Sequence, residues 1–408
     1  MTSIEKFMNT ILSLNINHID ATLDHVKALA FTRSLSSTGE TKAALYIKNE
    51  MNEENIDCAI NYFAFTGAKR LFMRLTYIIL FTYMIVFRLL LVIFAYISIK
   101  YISPRLRDYS LVGKEESKNV VVKIKSAKKQ EEGPVVILSA HYDTFSASLP
   151  YGLQKVFFFL FRIIIIPYMM FALFIANFFF LTERTKETTQ LILVFTLIEF
   201  AMTSIIFLLI YDNNRSKGSV DNASGVAVLI ELAKLLKKNP LENYDVIILW
   251  SGAEEWGLKG SKAFCKKNRK DFKTKYDLNR SFNINVDMVG SYIGLETTNS
   301  LHLRKRKAPF DLKRKLEETA KELNTPLIVS KKIFGSKADH ITFQKFAKKT
   351  KTSFQVAYIH TAKDSKFIHS SKDTPDRCYA ENLNGCLDIC YETIKSIDSM
   401  NISSKEIR

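Results

Sequence analysis

Val246-Ile-Ile-Leu-Trp250-Ser-Gly-Ala-Glu254-Glu255-Trp256-Gly257-Leu258 is an apolar run that ends on two adjacent carboxylates. A continuous run of that length, rich in branched residues, reads as a strand buried on both faces. Glu254 and Glu255 therefore fall where strand gives way to loop, which is where α/β folds put their chemistry. Side chains at neighbouring positions point different ways, so one carboxylate can bind a metal while the other takes a proton from water. A lone Glu-Glu pair is ordinarily a solvated piece of loop. The company this pair keeps argues otherwise.

Upstream, Val135-Val-Ile-Leu-Ser-Ala140 repeats the buried-strand pattern and runs into His141-Tyr-Asp143. Downstream, Phe282-Asn-Ile-Asn-Val286 delivers Asp287 in the same way. Asp221 opens Asp221-Asn-Ala-Ser-Gly225 at the start of an amphipathic run, and His369 lies in a polar turn after the strand pattern Phe354-Gln-Val-Ala-Tyr-Ile359. Two histidines, two aspartates and one or two glutamates suit a pair of zinc ions held through nitrogen and oxygen. No thiolate is needed.

These segments resemble the zinc aminopeptidase family that includes secreted bacterial aminopeptidases and glutamate carboxypeptidases, with glutaminyl cyclases and the transferrin receptor ectodomain as relatives. The resemblance rests on Ala140-His-Tyr-Asp143, Asp221-Asn-Ala-Ser-Gly225, Ala253-Glu-Glu-Trp-Gly-Leu258, Val286-Asp-Met-Val-Gly290, Ala338-Asp-His340, and His369 with Asp373-Thr374, in the family's order. It implies Glu254 as general base and Asp221 as the carboxylate bridging two zinc ions. His141 and Asp287 would complete one site, Glu255 and His369 the other. Such a pair acidifies water and polarises the scissile carbonyl, and the base carries the proton to the leaving amine. Asp143 and Asp373 are expected to orient His141 and His369 by accepting the remaining imidazole proton. Ile368 stands where the family commonly has a tyrosine that helps bind the tetrahedral intermediate. Tyr358 is the candidate substitute, and His340 joins it as a candidate substrate-binding residue. His360 is a decoy for the last ligand, because Asp373-Thr374-Pro375-Asp376 follows His369 as the family pattern asks. His18, His25 and His302 lack ligand-like neighbours and read as surface or helix residues.

Net charge +17 over 408 residues points to an anionic partner such as a lipid surface. Nucleic acid is not expected, since the lysines are scattered and no basic, aromatic-interleaved module is present. Five cysteines, odd in number and without a Cys-x-x-Cys pair, read as free thiols in a reducing compartment. The opening residues lack the basic start and apolar core of a signal peptide.

Composition then divides the chain. Residues 1–66 carry two helical patterns and a strand and are assigned to the catalytic domain, and 101–150 and 213–408 form its core. Between these lie the apolar segments 70–100 and 155–212. A span of about 30 Å of hydrocarbon needs about 20 residues. Residues 155–212 hold two such runs, Val156 to Leu181 and Leu191 to Tyr211, joined by a polar turn and read as a transmembrane hairpin. Residues 70–100 either cross once or bend back as a re-entrant pair. Basic residues including Lys69, Arg70, Lys155, Arg215 and Lys217 flank the catalytic side, against Arg184 and Lys186 in the hairpin turn, so the positive-inside rule puts the catalytic side in the cytoplasm. Glu199 is costly at membrane depth unless paired, and Arg88 is its candidate partner.

Alternating strand and helix predict an α/β three-layer sandwich with a largely parallel central sheet, interrupted by transmembrane helical insertions. The expected function is a membrane-anchored di-zinc metallopeptidase, an aminopeptidase acting on peptide substrates. The alternatives are a catalytically inactive peptidase-fold scaffold and a glutaminyl cyclase-like enzyme using one zinc.

Overall fold

A computed structural model of the chain describes residues 21–65, 115–128, 131–147, 213–298, 308–332 and 336–400, with single positions between 153 and 201. The apolar runs form strands as their pattern requires: β1 (Cys58–Phe65), β2 (Glu115–Ile124), β3 (Val135–His141), β4 (Asp245–Ser251), β5 (Phe282–Asp287), β6 (Ile293–Thr298), β7 (Leu327–Lys332) and β8 (Gln355–His360). They make one eight-stranded sheet in the order β1-β2-β4-β3-β5-β8-β6-β7. The helices between them are α1 (Thr38–Glu53), α2 (Ser224–Lys238), α3 (Lys259–Lys275), α4 (Leu312–Glu322), α5 (His340–Thr350) and α6 (Ala380–Ser399). Residues 21–28 are helical as well.

The sheet is mixed, parallel at its centre as expected, with antiparallel pairs on either side. Strand β3 runs parallel to β4 and β5, β5 to β8, and β6 to β7. Strands β2 and β4 are antiparallel, as are β6 and β8. The parallel centre was legible because its strands, covered on both faces, are rich in branched apolar residues. Strands β6 and β7 were missed: Ile-Gly-Leu-Glu-Thr-Thr and Leu-Ile-Val-Ser-Lys-Lys are short and half polar.

Alternation along each strand sends side chains to two helical layers. Val121, Val135, Ile137, Ile247 and Leu249 pack with Phe264, Cys265 and Phe272 of α3 and Phe343 and Phe346 of α5. Val136, Leu138, Val246, Ile248 and Trp250 take the alternate positions and are all buried. On that side Trp250 Nε1 donates to the Val226 carbonyl of α2 at 3.4 Å. Helix α6 packs on α2 and α4, and α5 on α3. Each fully buried apolar side chain of this size contributes about 1.5–3 kcal/mol, so the core fixes the strand ends that carry the site.

The break read at Ser34 to Gly39 is a helix start. Ser37 caps α1 by accepting from Glu40 N at 3.1 Å, and Glu40 reaches back to accept from Ser36 N at 2.8 Å, in the manner of a capping box.

The chain divides into two compact units: residues 1–63, 116–146 and 214–408, and residues 64–115 and 147–213. The sheet, helices and site described here lie almost wholly in the first. Among the described residues no helix is long and apolar enough to cross a membrane. The expected membrane segments at 70–100 and 155–212, and the Arg88 to Glu199 pair, fall outside the described residues apart from isolated positions. Of these, Leu153, Val156, Phe159, Val194 and Leu197 are helical and exposed. His18 and His302 also lie outside the described residues. His25 is a helix residue, one of the two readings given for it, and is buried: its ring bonds Tyr46 Oη at 2.7 Å and Glu231 Oε1 at 2.8 Å.

Candidate metal centre

Parallel strands present their carboxyl ends at one edge of the sheet, and three of them deliver site residues there. His141 closes β3, the Glu254-Glu255 loop follows β4, and Asp287 closes β5. In register, His141 lies opposite Ser251 and Asp287 opposite His360. Asp221 enters from the turn Ser219–Ala223 ahead of α2, and its peptide bond to Asn222 is cis. His369 comes from the turn after β8 with φ of 56°. Ala253 and Met288, beside Glu254 and Asp287, also take left-handed φ of 52° and 62°. Such conformations are uncommon outside glycine and concentrate at functional sites.

The five expected ligands meet in two groups that share one member. His141, Asp221 and Asp287 each offer a ligand atom, all within 4.8 Å of one another, and so do Asp221, Glu255 and His369. His141 Nε2 lies 3.0 Å from Asp221 Oδ1 and 3.4 Å from Asp287 Oδ1. His369 Nε2 lies 3.0 Å from Glu255 Oε1 and 3.4 Å from Asp221 Oδ2. The two oxygens of Asp221 thus face the two imidazoles separately.

Electrostatics show what such a cluster lacks. Burial disfavours a charged imidazole at His141, yet the carboxylates of Asp143, Asp221 and Asp287 override it and hold the ring well above its ordinary pKa. Burial likewise opposes the cation at His369, but Glu255 and Asp221 raise it to about 10. Burial would lift Asp221, and the two imidazoles pull it below the carboxylate range instead. Protons on the rings are here the local counter-charge for buried carboxylates. Asp287 Oδ1 is buried without a hydrogen-bond partner among the described residues. Two nitrogens and three carboxylates, converging and short of positive charge, fit a pair of borderline cations such as zinc, which would displace those protons.

Glu254 stands apart from both groups. It is 7% exposed, and its carboxylate accepts no hydrogen bond from the described residues. Burial first, then the negative charges of Glu255, Asp339 and Asp287, push its pKa well above the usual carboxylate value against the pull of His141. A carboxyl in such surroundings holds a proton more readily than one in water.

Asp143 and Asp373 do not act as expected. His141 Nδ1 is 3.6 Å from the Asp143 carboxylate, beyond hydrogen-bond reach, and 3.1 Å from the Asp143 carbonyl oxygen. The carboxylate instead accepts from Glu254 N at 2.9 Å and Glu255 N at 3.2 Å. Asp373 accepts from Val220 N at 2.6 Å and Asp221 N at 3.2 Å rather than from His369. Both carboxylates brace the backbone that carries ligands, because a carboxylate has two oxygens and a loop offers adjacent N–H groups needing acceptors.

Tyr358 is also corrected. Its hydroxyl donates to Asp287 Oδ2 at 3.1 Å, which commits its one proton, so it steadies Asp287 instead of offering a donor to an oxyanion. Its ring stacks between His340, at 4.1 Å, and His360, at 5.0 Å. Burial lowers His340 to about 4 and keeps it neutral.

Other supports escaped the sequence reading. Asn222 Oδ1 accepts from Gly225 N at 2.9 Å and Met288 N at 3.0 Å, and its amide donates to Val286 O at 3.0 Å, tying the Asp221 turn to the Asp287 strand end. Gly225 permits this: a Cβ there would meet Asn222 Oδ1 and Val286 O, each at 2.5 Å. Asp339 is buried and accepts from Ser251 Oγ. The run Asp221-Asn-Ala-Ser-Gly225 carried a signal for Asn222; nothing local marked Arg33, described below.

Comparison with known proteins agrees with this geometry. Residues 204–394 match the family model described as Peptidase family M28. The resemblance read in the sequence is borne out. The aminopeptidase YwaD of Bacillus subtilis (strain 168) is 39% identical over 77 residues, which make up 19% of this chain and 16% of that protein, so that match is local. The zinc aminopeptidase BSAP of Bacillus subtilis shares the fold with a TM-score of 0.53 at 13% identity, over 93% of this chain and 95% of that one. A glutaminyl cyclase from an Acidobacteriales bacterium does so with a TM-score of 0.55 at 16% identity, over 94% and 95%.

Proposed function

We propose that the protein is a zinc metallopeptidase of the aminopeptidase type, holding two zinc ions and removing residues from the N-terminus of peptides. The observation that carries this is the pair of ligand groups joined through the two oxygens of Asp221. Two zinc ions would supply an acidified water and a Lewis acid for the scissile carbonyl. His141, Asp221 and Asp287 would hold one ion, and Asp221, Glu255 and His369 the other. The Glu254 carboxylate takes the proton from the attacking water and passes it to the leaving amine. Asp143, Asp373 and Asn222 keep the ligand-bearing backbone in place, and Tyr358 fixes Asp287.

The test is to purify the full chain in detergent, count zinc by elemental analysis, and assay a panel of aminoacyl fluorogenic substrates beside Glu254→Gln. Two zinc ions with hydrolysis lost in the variant is the expected result. Activity that persists in the variant would remove Glu254 as the base. One zinc with conversion of N-terminal glutamine to pyroglutamate would favour the glutaminyl cyclase reading, which the fold likeness supports. Zinc bound without turnover of either kind would favour a scaffold.

The protein also spans a bilayer in this proposal, with residues 155–212 as a hairpin and the catalytic side in the cytoplasm. Support comes from the length of the apolar runs, the basic flanks, and the exposure of Leu153, Val156, Phe159, Val194 and Leu197 on helical segments. Release of the protein from membranes by alkaline carbonate would count against it.

A further inference from the structure

Arg33 is fully buried, yet no carboxylate lies within ion-pair distance of it among the described residues. Its guanidinium donates to five backbone carbonyls. Nε reaches Tyr142 O at 2.6 Å, and Nη2 reaches Gly218 O at 2.8 Å. Nη1 reaches Lys217 O at 2.8 Å, Phe31 O at 3.1 Å and, more closely, Leu29 O. The backbone joins in: Arg33 N donates to Thr144 Oγ1 at 2.8 Å, and Thr144 N donates to Arg33 O at 3.2 Å.

The acceptors are not scattered. Tyr142 follows His141 directly, and Lys217 and Gly218 lead into the turn that holds Asp221. More than sixty residues of chain separate these two segments. The guanidinium is a rigid planar fork, so its bonds fix the distance between the end of β3 and the Asp221 turn. Space there is already taken: Gly218 has φ of +57°, and a Cβ on it would meet Thr144 Cγ2 at 2.1 Å and Arg33 Nη2 at 2.9 Å. Ser34 extends the seam by donating to Asn214 Oδ1 at 2.6 Å. Burial lowers the guanidinium to about 10, with Asp373, Asp143 and Asp221 opposing, so it stays charged at neutral pH.

We infer that Arg33 is a positioning residue for the metal pair: it clamps the two chain segments on either side of the insertion so that His141 and Asp221 reach the same cation. This rests on the di-zinc reading above. An arginine that served packing alone would lower stability when replaced without changing metal affinity in the folded protein.

The experiment compares the full chain with Arg33→Lys and Arg33→Met, using Glu231→Gln as a control destabilised at a buried cluster remote from the ligands. Zinc affinity is measured by chelator competition, and the absorption spectrum of the cobalt-loaded protein reports ligand geometry. Loss of an outer support of a metal site typically costs about 10–100-fold in affinity. Weakening of that order is expected in Arg33→Met, with a smaller loss in Arg33→Lys, altered cobalt spectra in both, and unchanged affinity in Glu231→Gln. Zinc affinity within twofold of the parent in both Arg33 variants would overturn the inference. So would variants that fail to fold even when zinc is present, which would make Arg33 a general structural residue. A parent chain that takes up no zinc would defeat the di-zinc reading itself, a result distinct from either.

Discussion

Two buried polar clusters in this protein can be set side by side. One joins the helix at 21–28 to α1 and α2. There His25 lies between Tyr46 and Glu231, and Lys234 bonds Glu50 at 2.9 Å and Glu231 at 3.0 Å. Both of its carboxylates bond partners within the chain. The other, at the carboxyl ends of β3, β4 and β5, gathers His141, His369, Asp221, Asp287, Glu254 and Glu255 with Asp143 and Asp373 behind them. There the carboxylates outnumber the imidazoles, and Asp287 Oδ1 has no hydrogen-bond partner among the described residues. A balanced buried cluster is a joint between elements. One in charge deficit awaits a cation, because leaving that charge uncompensated in the interior is costly.

Replacing one member of each cluster separates the two most sharply. Asp221→Asn should remove the shared ligand and with it most bound zinc. It forfeits the several kcal/mol that bound cations supply, about 10³-fold or more in kcat/KM; elemental analysis and kinetics check both. Glu254→Gln should keep its zinc and lose about 10²–10⁴-fold in kcat, so the two variants differ in metal content.

The joint should respond in stability alone. Glu231→Ala leaves His25 without its 2.8 Å partner and Lys234 with Glu50 alone, and should cost about 1–3 kcal/mol in denaturant unfolding, with zinc content unchanged in the protein that remains folded. Its pH dependence follows by linkage. The folded Glu231 has a pKa of about 2, since His25 and Lys234 outweigh the burial that would raise it from 4.5. A depressed folded value means stability present above the unfolded pKa and lost as pH falls through the folded one. The parent should therefore lose stability between about pH 4.5 and 2 more steeply than Glu231→Gln, as urea titrations across that window would show. The smallest effect is expected at an exposed pair. Asp271→Asn breaks its 3.4 Å contact with Lys275 on α3 and should change stability by less than about 0.5 kcal/mol.

The same contrast explains what could be read from the sequence. Strands β3, β4 and β5 were visible because β3 and β4 are dominated by branched apolar residues and β5 alternates Phe, Ile and Val with Asn, and each hands a polar residue to one sheet edge. Asp221 and His369 were visible through short polar motifs. The partners of Asp143, Asp373 and Tyr358 were not, since sequence gives residue type and element but not which neighbouring donor or acceptor a side chain will meet. Arg33 and His25 lay further out of reach. His25 lies in a helix and Arg33 in the link that follows it, and both are buried by segments more than one hundred residues away. The edge strands β6 and β7 lacked the apolar continuity that marks the centre.

The ligand groups draw on chain positions from His141 to His369, and α6, which packs against α2, follows the last of them. During synthesis, a ribosome-bound intermediate ending before His369 holds at most one of the two groups. The second group forms only once the turn that follows β8 has been made.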